Sequence, residues 1–144
     1  MNIIRIMIPK INVAYVHADD TMRQGLEKMR RHGYTTVPVI SADGKYVGTI
    51  SEGDYLWYMT EHGFPDLHKL EGLGIREIMN TQRNPAVKID VSSVTLYQRI
   101  TECTFVPITD DRDCFVGIVT RRAVLSYFRD KFMELTLKST GDDT

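Results

Sequence analysis

The feature that most constrains this chain is that it states one pattern twice. Thr36-Val37-Pro38-Val39 is echoed by Phe105-Val106-Pro107-Ile108, and Tyr46-Val47-Gly48-Thr49-Ile50 by Phe115-Val116-Gly117-Ile118-Val119, both 69 residues later. A repeat of this length is one supersecondary unit used twice, each copy completing the other's buried surface. With 144 residues, the chain fits two small intertwined halves better than two independent domains. Upstream, Val13 and Val16 align with Ala86 and Ile89 at a spacing of 73, so the second copy is expected to lack four residues, about one helical turn.

Within each copy the element order is legible. Ile3 to Ile8 reads as a short lead-in stopped by Pro9, and Ile75 to Met79 echoes it. Val13 to Val16 and Ala86 to Ile89 are brief strands. Asp19-Asp20-Thr21 offers caps for a helix whose apolar face carries Met22, Gly25, Leu26 and Met29 and which ends at Gly33; Ser92-Ser93 caps its counterpart through Leu96 and Ile100. A strand, a turn at Asp43-Gly44 or Asp110 to Asp113, and a return strand follow, and Ser51 or Thr120 caps a closing helix. The predicted division is repeat 1 over 1–60, a Gly- and Pro-rich linker over 61–74, repeat 2 over 75–135, and a polar tail over 136–144. The last helix is expected to stop near Leu135.

Composition removes several function classes. The formal net charge of −1 provides no field to recruit nucleic acid or an anionic membrane, so any anion site has to be local. The apolar start is broken by Arg5 and Pro9 too early for a signal peptide, and no apolar run has the length of a membrane span; a cytoplasmic protein is expected. Cys103 and Cys114 form no CxxC pair and read as buried thiols. His17, His32, His62 and His68 have no metal-ligand spacing, and no metal site or cofactor is implied. No nucleophile stands beside a base in a recognisable triad, Walker loop or HExxH pattern, so no catalytic residue is assigned.

Two stretches carry candidate chemistry. Gly117-Ile118-Val119-Thr120-Arg121-Arg122 is a strand that ends on a hydroxyl, opens a helix and adds two guanidiniums. Backbone N–H groups, a positive dipole end and two cations at one point suit phosphate. Cations at a helix start oppose the dipole, which makes a purely structural role for both arginines less comfortable. Gly48-Thr49-Ile50-Ser51-Glu52-Gly53-Asp54 has the same shape with the opposite charge, and Asp54 also suits a plain first-turn carboxylate. Tyr34 can face a ligand or pack at the helix end. Tyr55 to Met59 reads as core or as a dimer face.

The duplicated Gly33-to-Val39 segment, Tyr46 to Asp54 and Phe115 to Arg122 together resemble the cystathionine-β-synthase (CBS) domain, in tandem as a Bateman module. The resemblance covers about Ile3 to Phe132. It implies an α/β (α+β) fold of two β-α-β-β-α repeats related by a pseudo-two-fold axis, adenine-nucleotide binding between the repeats, and frequent homodimers. Asn12 to Val16, Gly33 to Thr35 and Phe115 to Arg122 further resemble small stand-alone bacterial CBS-pair proteins that bind cyclic di-AMP. Some of those, when ligand-free, dock on and control another enzyme, such as a stringent-response nucleotide synthetase-hydrolase or pyruvate carboxylase.

In such modules each cleft joins the strand and x-x-apolar-Pro segment of one repeat to the Ser/Thr-led helix of the other. The resemblance thus implies a first cleft of Val13, Ala14, Tyr34, Thr35, Thr36, Val37 and Pro38 facing Thr120, Arg121 and Arg122. Ala123 stands where mononucleotide-binding repeats carry a ribose-binding Asp, which suits a cyclic dinucleotide with an esterified 3′ oxygen. A weaker second cleft would join Ala86, Val87, Phe105 and Pro107 to Ser51 and Asp54, with Glu52 repelling phosphate; it is expected to be weak, or to take AMP or adenosine. The reading from sequence is a non-enzymatic adenine-nucleotide sensor, cyclic di-AMP favoured, with AMP or ATP binding or a ligand-free dimerisation module as alternatives.

Overall fold

The computed structural model describes residues 1–141. The first repeat contributes helix α1 (Ile3–Ile6), strands β1 (Ile8–Pro9) and β2 (Val16–His17), helix α2 (Met22–His32), strands β3 (Thr36–Ile40) and β4 (Tyr46–Ser51) and helix α3 (Glu52–Glu61). A single-turn helix, α4 (Leu67–Leu70), lies in the linker. The second repeat contributes β5 (Val87–Lys88), α5 (Ser93–Glu102), β6 (Phe105–Thr109), β7 (Phe115–Thr120) and α6 (Arg121–Gly141).

The described residues form two sheets. In one, β2 runs parallel to β3 and β3 antiparallel to β4; in the other, β5, β6 and β7 repeat that order and β1 joins at the edge of β7. The first repeat's lead-in therefore belongs to the second repeat's sheet, with Ile8 opposite Ile118 and Pro9 opposite Gly117. Pro9 is tolerated because an edge strand has one side without a ladder partner. The exchange is reciprocal: Asn80 exchanges backbone hydrogen bonds with Thr49 at 2.8 and 2.9 Å. At the opposite end the hairpins meet, the Phe115 N–H donating to the Gly44 carbonyl at 2.9 Å.

Both cores mix the repeats. Val16, Met22, Met29, Val37, Val39, Ile50 and Tyr55 pack with Leu70 of the linker and Ile75 of the second lead-in. Leu96, Ile100, Val106, Ile108, Val119 and Val124 pack with Ile3 of the first. Burying these side chains is the dominant stabilising term, and neither repeat holds its full set alone. Helix α2 starts at a capping box between Thr21 and Gln24 and stops at Gly33, whose φ of 70° is left-handed and readily adopted by glycine.

Three expectations change. Val16 pairs with Val39 and Val87 with Ile108, so Val16 corresponds to Val87 at a spacing of 71, and Ile89 lies beyond the strand. Strand periodicity is two, so a slip of two keeps the same face inward and leaves no trace in the apolar pattern. The second repeat loses two residues in this interval rather than four, at the end of the helix, where extended Cys103 stands in place of the Gly33 turn. Helix α6 does not stop near Leu135: it runs to Gly141, supported by ion pairs from Glu134 to Lys131 and Lys138 at 3.7 and 3.5 Å. Residues 142–144 of the expected tail lie outside the described residues. Cys103 and Cys114 are half-buried free thiols rather than fully buried ones.

Candidate functional site

A cavity of about 260 Å³ opens between the repeats. Its walls are Asn12, Val13 and Ala14 after β1, the segment Tyr34 to Pro38 at the start of β3, and Thr120 at the end of β7; Ile8, Thr104, Phe105 and Ile118 complete them. Three stretches meet here for separate local reasons. The loop after α2 turns at Gly33 and exposes Tyr34, which stacks on His32 with ring centroids 6.2 Å apart. The next residues enter β3, where Val37 and Pro38 are buried and give the cavity an apolar floor. The extended chain at Val13 and Ala14 runs alongside before β2 begins. Such a mostly apolar slot with a few polar groups suits the flat face of a base.

The structure brings together Val13, Ala14, Tyr34, Thr35, Thr36, Val37, Pro38 and Thr120 on one wall set. It leaves Arg121 and Arg122 outside this wall set. Arg121 and Arg122 line an adjoining recess with Leu125, Ser126 and Arg129. The Arg121 Nε donates to the Ile100 carbonyl at 3.0 Å and its Nη2 lies 3.5 Å from the Thr101 carbonyl. A cation on the last carbonyls of α5 is favourable, which answers the dipole objection raised by its place at the start of α6. Arg122 is exposed, and its guanidinium makes no hydrogen bond or ion pair among the described residues. The first-turn N–H groups are partly used: Arg121 donates to the Thr104 carbonyl at 2.9 Å and Ala123 to the Thr120 hydroxyl at 3.0 Å.

The second cleft is arranged differently from its expectation. Val87 is in the core of the second repeat, Ala86 faces a separate recess beside Lys45 and Tyr46, and Phe105 lines the first cavity. Pro107 is buried within β6 opposite Ile118. Because the repeats correspond at a spacing of 71 here, the counterparts of Asn12 and Val13 are Arg83 and Asn84. Ser51 and Asp54 form a capping box at the start of α3, the Asp54 N–H donating to Ser51 Oγ at 3.2 Å and the Ser51 N–H to Asp54 Oδ2 at 2.8 Å. Asp54 also receives both guanidinium arms of Arg83, at 2.7 and 3.2 Å.

Behind this pair, the Asn84 side-chain amide donates to the Phe105 carbonyl at 3.1 Å, and the Tyr46 hydroxyl donates to the Asn84 carbonyl at 2.5 Å. Burial pushes the Tyr46 phenol well above its usual value of 10.0. Sequence reasoning missed Arg83 and Asn84 because nothing local marks them; the charge that matches Arg83 lies 29 residues away. Ile8 and Ile118 were also missed, because their strand crossing joins different repeats and the glycine repeated at Gly48 and Gly117 marks the crossing without naming its partner.

A family profile described as the CBS domain matches residues 3–61 and again 75–130. The chain is 26% identical over 119 residues to cyclic di-AMP receptor B of Bacillus subtilis, covering 83% of this chain and 80% of that protein. Over 80 residues, 56% of this chain, it is 28% identical to the magnesium transporter MgtE of Thermus thermophilus, of which the match spans 17%. Among solved structures it superposes on CbpB of Listeria monocytogenes in complex with c-di-AMP with a TM-score of 0.82 and 25% identity, covering 94% of this chain and 99% of that one. Both halves of the duplicated pattern carry the matching profile, and the chain belongs to the CBS domain family.

Proposed function

We propose that this protein is a regulatory receptor for cyclic di-AMP, which it binds in the first inter-repeat cleft without catalysing a reaction. The observation that carries the reading is the apolar slot at Tyr34 to Pro38, which opens directly onto Thr120 and the start of α6. One adenine is taken by the slot, with the backbone at Val13 and Ala14 facing its edge. The phosphates lie toward Thr120 and the guanidinium of Arg122, with Arg121 adding field rather than a direct contact. Ala123 offers no carboxylate to a ribose diol, which favours the esterified ribose of a cyclic dinucleotide over AMP or ATP. The likeness to a named cyclic di-AMP receptor and to a c-di-AMP complex supports the same ligand.

Binding across two repeats that already share each other's lead-ins would alter their relative setting, and so a surface that a partner enzyme reads. The exposed apolar residues Leu56 and Trp57 on α3 and Leu125, Phe128 and Phe132 on α6 are where a homodimer or such a partner would dock. No helix among the described residues is long and apolar enough to cross a membrane. Calorimetric titration with cyclic di-AMP, AMP and ATP tests the reading: cyclic di-AMP should saturate at one equivalent per chain and bind tightest. No saturable binding of any of the three would overturn it.

A further inference from the structure

Arg83 does more than stabilise a loop. In the first cleft the stretch Asn12 to Ala14 lines the cavity and leaves room beside it. In the second, the corresponding stretch turns its side chains inward. The Arg83 guanidinium reaches Asp54 Oδ2 at 2.7 Å through Nη2 and Asp54 Oδ1 at 3.2 Å through Nη1, while Nε donates to Thr49 Oγ1 at 3.2 Å. Three of its five N–H directions are thus satisfied by a planar fork on a carboxylate and a hydroxyl. Thr49 is fully buried, and the Asp54 side chain keeps 16% of its exposure. At the 69-residue spacing, Thr49 and Asp54 are the counterparts of Ile118, a wall of the first cavity, and of Ala123, whose N–H donates to the hydroxyl of the wall residue Thr120.

We infer that Arg83 is the built-in occupant of the second cleft, and that it restricts the module to one nucleotide by covering a latent site for an uncharged purine nucleoside. The ligand class follows from the groups beneath the guanidinium. With the guanidinium gone, Asp54 Oδ1 and the remaining lone pair of Oδ2, which also accepts from the Ser51 N–H, can take the two hydroxyls of a ribose cis-diol, which adenosine has and a 3′-esterified ribose lacks. Glu52, exposed in the same helix turn, disfavours a phosphate, so the latent site takes a nucleoside rather than a nucleotide. Nearby, Asn84 Oδ1 is buried without a donor among the described residues. An exocyclic amine brought into this cleft is the kind of group that would satisfy it. The inference rests on the proposed function only in treating the two clefts as equivalents.

The test is titration of adenosine into the wild-type chain, Arg83→Ala and Arg83→Gln, with and without saturating cyclic di-AMP. Glutamine keeps one donor for Asp54 and guards against loss of fold in the alanine variant. Circular dichroism and the cyclic di-AMP titration report that fold and first cleft persist. The expected result is one equivalent of adenosine bound by the variants at least roughly tenfold tighter than by wild type, unaffected by cyclic di-AMP and abolished by adding Asp54→Asn. A folded Arg83→Gln protein that binds adenosine no better than wild type overturns the inference. So does a wild-type chain that already binds adenosine as tightly as the variants beside saturating cyclic di-AMP. If cyclic di-AMP fails to bind the wild type, the proposed function fails, and the adenosine comparison still decides this one.

Discussion

Arg121 and Arg122 are neighbours with the same side chain, but only Arg121 has its guanidinium on the carbonyls of Ile100 and Thr101. Neutral substitution should therefore separate stability from binding. Arg121→Met is expected to lower unfolding stability by about 1 kcal/mol through loss of the α5 cap, measured by urea denaturation. Arg122→Met should leave that curve unchanged and weaken cyclic di-AMP binding by roughly tenfold or more, read by calorimetry. Tyr46 provides a pH signature. Its phenol is held neutral by burial, with a folded pKa raised above 10.0, so the folded state keeps a proton that the unfolded chain releases. That stability is fully present below pH 10 and is lost as pH rises above it. Tyr55, buried and raised in the same direction, adds to the loss. Thermal midpoints should fall steeply above pH 10, and Tyr46→Phe should flatten part of that fall. At this scale the first cleft was legible because its residues belong to segments with strong local signals. Arg83 was not, because a single arginine in a loop says nothing about a carboxylate 29 positions earlier.

At the scale of elements, the exchanged lead-ins hold the two repeats together. A Cβ at Gly117 would press into the Ile8 carbonyl oxygen and the Met7 side chain, and one at Gly48 into the Asn80 carbonyl oxygen. Backbone cannot yield as a flexible side chain does, so Gly117→Ala is expected to cost about 1–3 kcal/mol. Because Ile8 lines the cavity, the same change should also weaken nucleotide binding, whereas Gly48→Ala should cost similar stability with a smaller effect on binding. Urea denaturation and titration of both variants check this. The glycine pair was visible in the sequence as an exact repeat, but its reason was not, since the crossing strand comes from the other repeat. The strand slip at Val87 escaped for a different reason: a displacement of two residues preserves the inward face. The extent of α6 was hidden by its polar end, where ion pairs rather than apolar spacing carry the helix.

For the whole molecule, duplication provides two clefts and sequence divergence makes them unequal. One is apolar at its floor and basic at its rim; the other is acidic and spanned by the Arg83–Asp54 pair. The repeat, a 69-residue spacing held by a proline and a glycine, made one unit used twice readable; the pseudo-two-fold packing of the two copies came from the resemblance to the CBS pair. Which cleft takes a ligand depends on contacts between repeats, and these appear only when the chain is folded. The most direct measurement is a crystal structure of the protein with cyclic di-AMP. An adenine is expected against Tyr34 to Pro38, with phosphate oxygens within hydrogen-bond reach of Thr120 or Arg122 and Arg83 still paired with Asp54. A nucleotide found instead at Ser51 and Asp54, with the first cleft uninvolved, would overturn the assignment of the first cleft as the binding site.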